Sequence, residues 1–127
     1  MANYTYNPDP KNSVKAYGRG LPVSTKTSTL LCRKISGMQL ERGKQFLQRL
    51  IEQKESLGGK YYTGTAAEIL GMLKSAENNV EFKGLDAARM IIKASAHNGF
   101  RYYRPRKFKM GRQLKKVTNL QVVLEQC

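Results

Sequence analysis

Apolar positions recur at three- and four-residue intervals through the middle of the chain and at two-residue intervals towards its end, so the pattern predicts helices first and strands after them. Gly43, Phe46, Leu47, Leu50 and Ile51 share one helical face, and Glu41, Arg42, Lys44, Arg49 and Glu52 fall mostly between them. Gly58-Gly59 reads as the stop of this helix. Thr65 followed by Glu68 has the spacing of a capping box, and Ala66, Ile69, Leu70, Leu73, Ala76 and Val80 trace a second amphipathic face that ends at Gly84. A shorter helix is predicted from Thr27 to Ile35, closed by Gly37.

Beyond Gly84 the period changes to two. A strand is predicted to begin near Ala87, with Met90, Ile92, Ala94 and Ala96 on one face and Arg89, Ile91, Lys93 and Ser95 on the other. Val117 to Leu124 is β-branched and apolar, with Leu120, Val122 and Leu124 on one face, and suits an antiparallel partner for that strand. Val14 to Val23 adds an edge strand, where Pro22 is tolerated. The class is α+β: three helices packed on one face of a small three-stranded antiparallel sheet, with a long extended β-hairpin.

Length limits the organisation. The chain has 127 residues, enough for one modest core, and residues 1–127 are read as a single domain from which residues 97–117 protrude. Charge then points to a partner: 23 Lys and Arg against 9 acids give +14, so the molecule repels itself and seeks a polyanion. The excess is uneven. Residues 1–40 carry 6 basic and 1 acidic side chains, residues 41–86 carry 7 and 7, and residues 87–127 carry 10 and 1. Two basic flanks around a neutral helical scaffold fit a nucleic acid gripped from both ends of the sequence. An anionic membrane would attract the same charge, but no apolar run approaches the ~20 residues of a spanning helix, and membrane insertion is not expected. The first ten residues carry neither a secretory nor a transit pattern, so the expected address is the cytoplasm.

The segment between His97 and Val117 carries the function. Arg101, Arg104, Arg106, Lys107, Lys109, Arg112, Lys115 and Lys116 face no acid, since none occurs from Ala87 to Leu124. Two arms of roughly 10 residues at ~3.3 Å each would carry the tip roughly 30 Å beyond the sheet. Lys and Arg neutralise phosphates, while Phe100, Tyr102, Tyr103 and Phe108 can stack on unpaired bases. A solvated basic loop is the commoner fate of a charge run, but four aromatics within nine residues have no use in one. Pro105 and Gly111 mark bends at the tip. The candidate RNA-binding residues are Arg19, Lys26, Arg101, Tyr102, Tyr103, Arg104, Arg106, Lys107, Phe108, Lys109, Arg112, Lys115 and Lys116.

Catalytic chemistry is not in view. His97 is the one histidine, and Cys32 and Cys127, the only cysteines, make neither a disulfide framework nor a metal cluster. Gly58-Gly59-Lys60 lacks the earlier glycine of a phosphate loop and has Tyr61 where Ser or Thr is required. No enzyme, metal or cofactor is expected. The alternative to a built-in component of an RNA assembly is a free architectural nucleic-acid-binding protein or RNA chaperone that uses the same basic ribbon.

The block Leu73-Lys-Ser-Ala-Glu-Asn-Asn-Val-Glu-Phe-Lys-Gly-Leu-Asp86 is followed by Arg104-Pro-Arg106, Met110-Gly-Arg112 and Lys115-Lys-Val-Thr-Asn-Leu-Gln-Val-Val-Leu124. Together with Tyr17-Gly-Arg-Gly-Leu-Pro-Val23, this order resembles the universal large-subunit ribosomal protein family numbered twenty-two, seventeen in older eukaryotic naming. The Ala-Glu-Asn-Asn and Lys-Gly-Leu-Asp wording is closer to its archaeal and eukaryotic branch. The resemblance implies a cytoplasmic structural constituent of the large subunit that binds ribosomal RNA and supports subunit assembly. Its implied partners are that RNA, neighbouring large-subunit proteins, and the nascent peptide at the wall of the exit tunnel. The implied tunnel tip is Arg106, Lys107, Phe108, Lys109, Met110, Gly111 and Arg112. Relatives on the eukaryotic side carry a longer basic insertion between the second and third helices and a longer tail, whereas here Gln53 to Thr65 is brief.

Overall fold

A computed structural model describes residues 6–103 and 114–126. The elements in chain order are β1 (Ser13–Leu21), α1 (Thr25–Ile35), α2 (Leu40–Ile51), α3 (Thr63–Lys83), β2 (Met90–Tyr103) and β3 (Leu114–Gln126). The three strands form one sheet in the order β1-β3-β2, antiparallel throughout, so the last strand lies in the middle. That position matches its composition, because a central strand is paired along both edges and favours the most continuous β-branched, apolar run. The α+β class, the three helices and the three strands are those the sequence predicts.

Alternation along each strand builds the core. Val14 and Ala16 of β1, Leu120, Val122 and Leu124 of β3, and Met90 and Ile92 of β2 turn to the helices and are buried there. They meet Leu31 and Ile35 of α1, Leu47 and Leu50 of α2, and Ile69, Leu73 and Val80 of α3, all at most 1 % exposed. Gly43 has a separate task on the apolar face of α2. A β-carbon there would run into Cδ1 of Ile92, so its absence lets α2 approach β2.

Both outer edges of the sheet are occupied. Gly37 N donates to Ile92 O at 2.8 Å and Ile92 N to Met38 O at 2.9 Å, so the α1–α2 connection lies along β2. On the other edge, Asn79 Nδ2 reaches Lys15 O at 3.2 Å and Lys83 Nζ reaches Ser13 O at 2.9 Å. Side chains of α3 thus take carbonyls that another strand would otherwise seek.

Several predicted boundaries move. Gly58-Gly59 does not stop α2, which ends at Ile51 through Gln53 in the left-handed region at φ +61°. Gln53 N donates to Leu50 O at 3.2 Å and Lys54 N to Arg49 O at 2.9 Å, the paired bonds of a Schellman ending. The two glycines, at φ +60° and +82°, make a separate two-residue turn in which Leu57 and Lys60 exchange backbone bonds at 2.9 and 3.2 Å. The Thr65–Glu68 capping box does not form either. α3 begins at Thr63, and the Thr65 hydroxyl instead meets that of Thr27 at 3.1 Å, tying α3 to α1. The strand expected near Ala87 is preceded by a single 3-10 turn, Ala87–Arg89, because Asp86 Oδ1 accepts from Ala88 N at 3.0 Å and holds the chain in a turn. β1 stops at Leu21, so Pro22 lies just outside the sheet.

Candidate nucleic-acid interface

The ladder between β2 and β3 outruns the rest of the fold. β1 pairs with β3 only as far as Leu21 opposite Thr118, whereas β2 and β3 stay paired out to Tyr103 opposite Leu114. From Asn98 and Thr118 outward the sheet is therefore a two-stranded ribbon of β2 and β3. Its aromatics cannot reach a core: Phe100 is 54 % exposed and Tyr103 69 %.

Two irregularities aim the ribbon. Between Asn98 and Arg101 β2 carries one residue more than β3 does between Thr118 and Lys116, which places a bulge at Gly99 and Phe100 opposite Val117. A β-carbon on Gly99 would lie 2.8 Å from Val117 Cγ2 and 3.0 Å from Val117 O, so the strands close there only over glycine. β1 has its own extra residue between Gly18 and Leu21, with Gly20 at φ +70°. Asn119 Oδ1 accepts from Gly20 N at 3.0 Å, and the Phe100 ring packs where a side chain on Gly20 would stand, 2.8 Å away. The end of β1 and the ribbon root are thereby locked together.

The loop after β1 is tied to the same root. Thr118 Oγ1 donates to Val23 O at 2.7 Å, and the Thr118 and Thr25 hydroxyls lie 2.8 Å apart. These bonds bring the start of α1, and Lys26 with it, against the ribbon. The result is an open groove of about 620 Å³ lined by Pro22 to Lys26 on one side and by Asn98, Tyr102 and Leu114 to Val117 on the other. Lys26, Lys115 and Lys116 border it, with the Tyr102 ring as an aromatic wall.

Charge along the ribbon is uncompensated. Arg101 lies directly opposite Lys116, and Tyr102 opposite Lys115, whose Nζ sits 6.0 Å from the Tyr102 ring centroid. Like charges directly opposed on adjacent strands are destabilising in the free protein. Phosphate oxygens would reverse that penalty, and the Phe100 and Tyr102 rings, 5.9 Å apart and tilted by 36°, leave faces on which bases can stack. Among the described residues the ion pairs are Lys44–Glu77 at 2.7 Å, Arg49–Glu55 at 3.3 Å and Lys54–Glu52 at 2.8 Å, all on or beside the helices. None involves Arg19, Lys26, Arg101, Lys115 or Lys116.

The predicted residues divide into three groups. Lys26, Tyr102, Lys115 and Lys116 come together in the groove, with Arg101 and Tyr103 on the ribbon beside it. Arg19 stands exposed in the β1 bulge and does not line the groove. Arg104, Arg106, Lys107, Phe108, Lys109, Met110, Gly111 and Arg112 lie outside the described residues. Sequence reasoning missed the anchors Gly20, Gly99, Thr118 and Asn119, whose roles depend on pairing between distant segments. Among the described residues no group of His, Cys, Asp and Glu could hold a metal ion, and no helix is long and apolar enough to cross a membrane.

Comparison with known proteins gives one consistent neighbourhood. The family model described as Ribosomal protein L22p/L17e matches residues 16–125. The chain is 30 % identical to the large ribosomal subunit protein uL22 of Methanococcus aeolicus, over 98 % of this chain and 96 % of that protein. It is 34 % identical to the protein of the same name from Methanopyrus kandleri, over 93 % of this chain and 89 % of the relative. The Methanococcus aeolicus alignment runs over 147 positions, more than the 127 residues here, so that relative carries residues without a counterpart in this chain.

Proposed function

Because the chain belongs to the ribosomal protein L22p/L17e family, we propose that its basic aromatic ribbon is the element through which it holds ribosomal RNA, and that the ribbon tip forms part of the exit-tunnel wall. Family membership makes the protein a structural, non-catalytic constituent of the large ribosomal subunit in the cytoplasm, where it binds ribosomal RNA and neighbouring ribosomal proteins. Residues 1–127 act as one domain, and residues 97–117 are the arm it inserts into RNA. The observation that carries this reading is the opposition of Arg101 and Lys116 at the root of a ribbon with exposed aromatics and no paired acid among the described residues. Such a pair is unfavourable in water and favourable between phosphates.

The proposal divides the labour among these residues. Arg101, Lys115, Lys116 and Lys26 neutralise phosphates at the root, and Tyr102 and Tyr103 supply stacking faces. Arg19 adds charge from the neighbouring bulge. Arg104, Arg106, Lys107, Phe108, Lys109 and Arg112 continue the same composition outward, and the stretch from Arg106 through Met110 and Gly111 to Arg112 meets the nascent peptide. A photo-crosslinking residue at Phe108, in ribosomes stalled with a labelled nascent chain, tests the tip. Adducts with both ribosomal RNA and the nascent chain are expected. Adducts with RNA alone would remove the tunnel-wall assignment and leave the RNA-holding role.

A further inference from the structure

Half of the bases at the start of the chain sit on one helix. Of the 6 in residues 1–40, Lys26, Arg33 and Lys34 belong to α1, the only one of the three helices without an acid. At 3.6 residues per turn these three lie with Leu30 on the side opposite Ser28, Leu31, Cys32 and Ile35, which α1 buries. All four outer residues are exposed. Arg33 and Lys34 suit the negative end of the helix dipole, and that alone would explain them. Lys26 has the opposite placement. It stands in the first turn, which holds no acid and no side-chain cap bond, and a cation there is unfavourable for the helix. The outer face of α1 therefore carries a charge that the stability of the helix does not call for.

Both ends of this row open into a groove. Lys26 borders the one at the ribbon root, together with Lys115 and Lys116. Lys34 borders a second, of about 610 Å³, between the end of α1 and α2, where Arg42 and Arg49 stand on the α2 side. Glu55 also lines this groove but is ion-paired with Arg49 at 3.3 Å, and Glu41, the acid of α2, is not among the lining residues. None of Lys26, Arg33, Lys34 and Arg42 takes part in an ion pair among the described residues. Along the helix axis Lys26 and Lys34 are about 12 Å apart, at ~1.5 Å per residue. A line of cations thus runs from the ribbon root along α1 to α2.

We infer that the outer face of α1 is a phosphate rail, on which Lys26, Arg33 and Lys34, with Arg42 at the far end, seat the sugar–phosphate backbone of a paired segment of ribosomal RNA. Stacking on unpaired bases needs exposed rings, and α1 has none, whereas the ribbon has Phe100, Tyr102 and Tyr103. Backbone phosphates ask for charge alone, and duplex RNA is held largely through phosphate and sugar contacts because its bases are paired. A protein neighbour would call for an apolar anchor, and the cores of protein interfaces are depleted of charge. Leu30, at 40 % exposure, is the one large apolar side chain that α1 exposes, and the Phe46 ring at the second groove is buried. Ribbon and rail then divide the RNA between them. Unpaired bases go to the first, and the backbone of an adjoining duplex to the second.

The rail rests on the ribosomal-RNA-binding role but not on the ribbon, and two triple variants of the full chain separate them. R33Q/K34Q/R42Q removes cations of the rail that do not border the ribbon groove, and R101Q/K115Q/K116Q removes those of the ribbon root. Both are titrated with salt against transcribed large-subunit ribosomal RNA, with the urea midpoint confirming the fold. R33Q/K34Q/R42Q is expected to lower the slope of log affinity against log salt by about 2.1–2.7, three contacts at roughly 0.7–0.9 each. R33K/K34R/R42K, which keeps the charge, retains the wild-type slope. With a short RNA duplex and polyuridine as probes, R33Q/K34Q/R42Q loses more affinity for the duplex. A folded R33Q/K34Q/R42Q with the wild-type slope would overturn the rail, and so would equal losses on the two probes. If R101Q/K115Q/K116Q loses slope where the rail variant does not, the ribbon reading stands alone. If only the rail variant loses slope, the ribbon reading fails and the rail remains. Should Lys34 be shielded from acylation in intact subunits while R33Q/K34Q/R42Q binds RNA like the wild type, the face belongs to an acidic neighbouring protein, and the rail falls.

Discussion

Gln53 ends α2 in a conformation that glycine adopts at no steric penalty, and its φ of +61° costs a side-chain-bearing residue roughly 1 kcal/mol or more. Gln53→Gly is therefore expected to raise stability by about 0.5–1 kcal/mol, read as a higher urea midpoint with an unchanged slope. Gly99 has the opposite sign. A methyl group there would press on Val117 Cγ2 and on the Val117 carbonyl, and the backbone contact cannot swing away. Gly99→Ala should cost about 1–3 kcal/mol by the same measurement, as overpacking does elsewhere. Cys32 is a third case, because burial pushes its thiol from the ordinary 9.0 up to about 12. Its folded value exceeds its unfolded one, so its contribution is complete below about pH 9 and is lost as pH rises through about 12. Alkaline titration of stability should fall more steeply for the wild type than for C32A. Equal slopes would contradict the assigned burial.

Among the elements, those legible in the sequence are the ones whose signal is a repeated pattern. α3 was written in six apolar positions from Ala66 to Val80 and closes at Gly84 as expected, with Leu85 N bonded to Val80 O at 3.1 Å. The alternation of Met90, Ile92, Ala94 and Ala96 gave β2 its correct face. Boundaries set by one residue were not legible. Nothing in the composition around Gln53 distinguishes a left-handed helix end from a continuing helix, while the later glycine pair advertised a stop that belongs to a separate turn. Thr65 and Glu68 have capping spacing, but the preference of Thr65 for Thr27 arises only once α1 and α3 are packed. The two bulges at the ribbon root were likewise invisible, since each is a mismatch between paired strands. At this scale the opposed Arg101 and Lys116 yield a prediction of two signs. Lys116→Glu replaces a repulsive cross-strand pair by an attractive one and should stabilise the free protein by about 0.2–1 kcal/mol. The same change should weaken RNA binding. Loss of both stability and affinity would mean that the pair serves the fold and not the partner.

Across the molecule, charge and shape divide the work. The helical segment of residues 41–86 balances 7 bases with 7 acids and places its ion pairs on or beside the helices, while Lys15, Arg19 and Lys93 of the basic ends lie on the sheet and Arg101, Lys115 and Lys116 on the ribbon. Convergence of Lys26 with Lys115 and Lys116 could not be read from residues so far apart in the chain, although the uneven charge had already drawn attention to both flanks. The ribbon leaves the sheet beyond the last pairing with β1, so the core of Leu31, Leu50, Leu73 and Leu124 owes it little. That separation makes the central claim directly measurable. Replacing residues 99–115 by a short turn removes seven cations and leaves the buried core cluster intact. Salt titration of this variant against large-subunit ribosomal RNA should give a folded protein with weaker binding and a slope reduced by up to about 5–6, at roughly 0.7–0.9 per lost phosphate contact. A folded variant whose slope matches the wild type would contradict the account.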